Sequence, residues 1–97
     1  MVMPKPNDDA HAVALAALAW TLGDDTRAQR LLTLTGLEPA DLRARLGDPA
    51  VLDAALGFLE NHQPDLIACA AALGMKPERL IAARQTLRGG MLPEWDM

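Results

Sequence analysis

Gly36-Leu37-Glu38-Pro39-Ala40-Asp41-Leu42 returns 38 residues later as Gly74-Met75-Lys76-Pro77-Glu78-Arg79-Leu80. The register holds upstream without a gap: Ala12-Val13, Ala16-Ala17-Leu18 and Trp20 align with Ala50-Val51, Ala54-Ala55-Leu56 and Phe58. In both copies a glycine stands where a helix needs a left-handed stop. A proline follows where the next helix needs a first residue with no amide proton to leave unpaired. A duplicated three-helix unit and two independent uses of one corner chemistry both produce this pattern. Duplication predicts two repeats, residues 10–47 and 48–85, related by a pseudo-twofold, with Trp20 and Phe58 as equivalent core positions where the units meet. Two copies are too few for a solenoid.

The other punctuation marks agree with a helical reading. Asp8 or Asp9 can cap a first helix over 9–22, because an aspartate accepts the orphan amide protons of a first turn. Its apolar residues, Val13 to Leu22, surround it almost completely, which predicts a central helix covered on several sides. Gly23 and Asp24-Asp25 separate it from a second helix over 26–34, with Leu31, Leu32 and Leu34 inward and Arg27 and Arg30 outward. A short third helix over 39–46 would bury Leu42 and Leu46. Gly47-Asp48-Pro49 is the sharpest boundary: stop, cap and first residue in succession. Further helices are predicted over 49–60, 64–73 and 77–88. Residues 1–8 read as a flexible arm, and Gly89-Gly90 as the release of a tail over 89–97. No stretch alternates in the manner of a strand. The fold class is all-α, a compact bundle of five or six short helices over residues 9–88.

Composition limits what such a bundle can be. With 97 residues and 51% hydrophobic residues, the chain supports one modest core. Aromatics are limited to Trp20, Phe58 and Trp95, so Ala and Leu must fill that core. The longest apolar stretch, Ala12 to Trp20, is shorter than the roughly 20 residues of a membrane span. The single cysteine, Cys69, cannot form an internal disulfide and lies in an apolar run, so a buried inert thiol is expected. These features, and an N-terminus without a signal-peptide core, suggest a cytoplasmic protein.

The inventory for chemistry is thin. The chain has no serine and no tyrosine, and Cys69 and the threonines stand in no recognisable catalytic setting. His11 and His62 are far apart and lack metal-ligand spacing; each is expected at a helix end, and no metal site or cofactor is expected. Asp8-Asp9 and Asp24-Asp25 fall where helix N-termini favour negative charge. An enzyme is therefore not expected.

Two surfaces could instead bind. Ala70-x-x-x-Gly74 followed by Leu80 has the skeleton of a helix-turn-helix over residues 70–88, with small residue, turn and sealing apolar side chain in order. Lys76, Arg79, Arg84 and Arg88 face only Glu78 in residues 76–88 and are the candidate nucleic-acid contacts. Against this, the net charge is −4, whereas nucleic-acid binders carry a basic footprint. Met91, Leu92 and Trp95 on the tail are the candidate partner contacts, because large apolar groups with a tryptophan anchor interfaces. A protein–protein interaction or regulatory module, with a protein partner or a second copy, is the leading expectation. DNA binding is the alternative.

The run Leu31-x-x-Leu34-Thr35-Gly36-Leu37-x-Pro39-x-x-Leu42, then Asp48-Pro49-x-x-Leu52-x-x-x-Leu56-x-Phe58-Leu59, then Ala71-x-Leu73-Gly74-Met75-x-Pro77 resembles a family of small alphaproteobacterial proteins known only as a domain of unknown function. The likeness covers roughly residues 10 to 90. It implies a bacterial, intracellular, all-helical domain, and brings no activity, ligand or functional residue.

Overall fold

In the computed structural model, residues 6–91 are described, with side chains from Asp9 to Gly89. They form six helices and no strand: α1 (Pro6–Leu22), α2 (Asp25–Thr35), α3 (Pro39–Ala44), α4 (Pro49–Glu60), α5 (Gln63–Ala72) and α6 (Pro77–Met91). The all-α bundle expected from the corners is what the chain adopts.

The corners work by the chemistry that marks them. Gly36 and Gly74 hold φ of 74° and 70°, where a Cβ would be strained. The Gly36 amide donates to the Leu32 carbonyl at 2.9 Å, and the Met75 amide donates to Ala70 at 2.9 Å, closing the ends of α2 and α5. Asp24 accepts from the Arg27 amide at 3.0 Å and Asp48 from the Ala50 amide at 2.9 Å. Prolines open α3, α4 and α5.

Two boundaries differ from the expected ones. Helix α1 starts at Pro6, inside the predicted arm. Asp9 therefore lies within the helix, and its carboxylate receives Arg79 of α6 at 2.7 Å instead of capping. His11 moves with it into the helix body. Helix α6 runs through Gly89-Gly90 to Met91, so the glycines do not release a tail at 89. Helix propensity costs about 1 kcal/mol per glycine, a weak preference that an established helix overrides.

The core is made of Ala and Leu, as the aromatic shortage required, with Val13, Val51, Phe58 and Cys69 added. Helix α1 packs on α2, α4, α5 and α6, and α6 also packs on α4 and α5. Thr21, fully buried, donates its hydroxyl to the Ala17 carbonyl at 2.9 Å. The burial pattern follows the 38-residue register, with Val13 and Val51, Ala17 and Ala55, Leu18 and Leu56, and Leu42 and Leu80 all buried. The packing does not: α6 is a central helix, whereas α3 takes no part in the principal helix–helix packings. Phe58 is buried but Trp20 is only half-buried, so the expected equivalence of the two aromatics is corrected. Arg27 lies 3.6 Å from the Trp20 ring centroid and donates Nη2 to its carbonyl at 2.8 Å.

Two leucines expected inside are outside. Leu46 is 40% exposed because α3 ends at Ala44, and Leu34 is 74% exposed. Helix α2 packs chiefly on α1 and α4, and Leu31 faces that side. Leu34, 60° round the helix from Leu31, lies beyond its reach.

Candidate functional site

Leu34 stands at the lip of a cleft of about 630 Å³ between the C-terminal half of α2 and the face of α4. Phe58, Ala54 and Gly57 supply its apolar surface, and Thr35 and Asn61 its neutral polar groups. Three ionisable residues line it: Arg30 from α2, His62 at the start of α5 and Arg84 from α6.

Each arginine is fixed from outside the cleft. Arg84 donates Nε to Asp53 at 2.9 Å and Nη1 to Glu60. These bonds raise its pKa above the usual arginine value, against the opposing effect of burial. Its guanidinium rests on α4 at Gly57, where an added Cβ would stand 2.9 Å from Nη2 and 3.0 Å from Cζ. Asp53, Gly57 and Glu60 lie at i, i+4 and i+7, so one face of α4 makes the whole seat. Arg30 donates Nη2 to Asp65 of α5 at 3.0 Å, and its Cζ lies 5.9 Å from the Phe58 ring centroid. Arg30 Nε is buried with no hydrogen-bond partner among the described residues, and His62 Nδ1 lies 2.9 Å from Asp65 Oδ2. The 38-residue pattern marks the corners and carries no sign of this cleft. The signal for it was an apolar α2 face wider than one neighbouring helix could cover.

Of the four cations singled out for nucleic acid, Arg84 and Arg88 meet at Asp53, and Lys76 and Arg79 lie apart from them. Lys76 is exposed before α6, and Arg79 turns to Asp9 on α1. Arg84 is held on α4, and Arg88, 59% exposed, approaches the same Asp53 at 4.0 Å. Positions 79 and 84 are 140° apart around the helix, so no single groove-facing edge carries them. The expected partner contacts fare differently. Met91 is the last residue of α6, and Leu92 and Trp95 lie outside the described residues.

No group of three or more His, Cys, Asp or Glu suited to a metal occurs among the described residues, and no described helix is long and apolar enough to cross a membrane. Cys69 is buried, and burial pushes its thiol up to about 11.

The family model described as "Protein of unknown function (DUF3572)" matches residues 7–90. No curated protein and no solved structure matches the chain.

Proposed function

We propose that this chain, which belongs to the DUF3572 family of proteins of unknown function, is a helical protein–protein interaction module of regulatory or adaptor type that docks its partner in the α2–α4 cleft. The observation that carries this reading is Leu34, 74% exposed beside an apolar cleft of about 630 Å³. That volume lies within the range of ligand pockets, which combine apolar walls with a few placed polar groups. The reading includes a cytoplasmic location and no catalysis of its own, on the compositional grounds above. DNA binding draws support only from the Gly74 corner, since Arg79 and Arg84 stand 140° apart around α6.

The test is capture from native lysate with the wild-type protein and with Leu34→Asp, alongside far-UV circular dichroism of both. A protein retained by the wild type and lost with the variant, at equal helicity, supports the reading. Identical retention by both proteins, or a strict monomer that retains nothing, overturns it. Sedimentation at increasing concentration separates a foreign partner from a second copy.

A further inference from the structure

The cleft is lined by the guanidinium groups of Arg30 and Arg84 and, among the described residues, by no acid, in a chain of net charge −4. Asp53, Glu60 and Asp65 hold the cationic side chains but do not line the cleft. Each guanidinium keeps N–H groups that no described residue accepts. Arg30 spends Nη2 on Asp65, and its side chain stays 40% exposed. Arg84 spends Nε and Nη1, leaving Nη2 over Gly57, itself part of the lining. A guanidinium N–H with no protein acceptor forms charge-assisted hydrogen bonds with an incoming carboxylate.

We infer that the partner, on the interaction reading above, contributes an acidic–apolar segment, with a large apolar side chain against Phe58 and Leu34 and a neighbouring carboxylate hydrogen-bonded by Arg30. Both halves of that occupant match what the cleft offers. Leu34, 74% exposed, provides the contact area for the apolar group, beside the edge of the buried Phe58 that lines the cleft. A carboxylate accepts from a guanidinium in the fork geometry that a neutral amide reproduces poorly. The fixed positions of Arg30 and Arg84 reduce the ordering cost of binding.

The experiment is an amide chemical-shift titration of the labelled full-length chain with three synthetic octapeptides. One alternates acidic and large apolar residues. The second replaces each carboxylate by its amide, and the third keeps the acids and replaces the apolar residues by serine. Saturable shifts over residues 30–35 and 57–62 are expected with the first. The second and third should bind roughly tenfold more weakly or worse. Arg30→Gln should bring the first two peptides to within about threefold of each other, and rising salt should weaken the first alone among the apolar pair. Equal binding of the amide peptide in the cleft would overturn the acidic specificity and leave the interaction reading standing. No cleft shifts with any peptide would overturn the inference too, and the Leu34→Asp capture would then decide the broader reading by itself.

Discussion

The Arg84 guanidinium occupies the space that a side chain at Gly57 would need, with Nη2 2.9 Å from where a Cβ would stand. A mid-helix glycine replaced by alanine ordinarily gains about 1 kcal/mol of helix stability. Here the gain is opposed, because Arg84 cannot swing aside without leaving Asp53 and Glu60. Gly57→Ala in the wild-type chain should therefore show no gain or a loss of about 1 kcal/mol in urea unfolding. The same substitution in an Arg84→Ala background should recover the ordinary gain of about 1 kcal/mol. Equal effects in both backgrounds would show that the two residues are uncoupled.

Arg79 and Asp9 meet at 2.7 Å with each side chain 50% exposed. An ion pair so open to water is worth about 0–1 kcal/mol and is screened by salt. Arg79→Ala should change stability by about 0.5 kcal/mol at low ionic strength and by less in molar salt. The same variant tests nucleic-acid binding. Titration of the labelled protein with mixed-sequence duplex DNA at low salt should leave residues 74–88 unshifted in both wild type and variant. Shifts confined to those residues in the wild type, lost with Arg79→Ala and weakening as salt rises, would restore the helix-turn-helix reading over the docking one.

The fold was legible because its boundaries are local. Gly36, Gly74, Asp48 and the N-terminal prolines act within a few residues of where they stand, so the chain order reveals them. The cleft is a different kind of object. It depends on how far α2 overhangs α4, and that depends on which neighbours reach Leu34, a fact no local pattern contains. The cations show the same divide. Arg79 and Arg84 looked alike as a basic run, yet their partners, Asp9 and Asp53, lie 70 and 31 residues away. Capping is the local option for the carboxylates of Asp8-Asp9; a helix beginning at Pro6 sends Asp9 to a distant arginine instead.

Asp48 links the α3–α4 turn to acid stability. The Ala50 amide donates to its carboxylate, Arg45 pairs with it, and both hold its pKa below the ordinary 3.8. The sign follows from the lowered value. Stability from the ionised cap is complete above the unfolded value near 3.8 and is lost as pH falls through the lower folded value. Asp48→Asn keeps a capping oxygen but cannot titrate. Its stability should therefore fall less steeply than that of the wild type below pH 3.8. Parallel acid-unfolding curves for the two proteins would remove this role.

Cys69 gives a pH dependence of the opposite sense. Burial raises its thiol from 9.0 to about 11, with Arg27 nearby acting slightly against the shift. The folded protein keeps a proton that the unfolded chain releases above pH 9.0. Stability tied to the neutral thiol is thus complete below that pH and is lost progressively as pH rises through about 11. The chain has no tyrosine, and its two lysines, Lys5 and Lys76, are common to the wild type and Cys69→Ala. Urea midpoints of the wild type should decline from pH 9.0 upward, and those of Cys69→Ala should decline less. The same burial predicts slow alkylation at neutral pH, because the thiolate is scarce and the sulfur is reached only when the bundle opens. Labelling by iodoacetamide should then slow as stability rises, and should match the rate of a model thiol only in denaturant. Rapid labelling of the native protein would mean that α5 detaches from the core far more readily than its packing against α1, α4 and α6 allows.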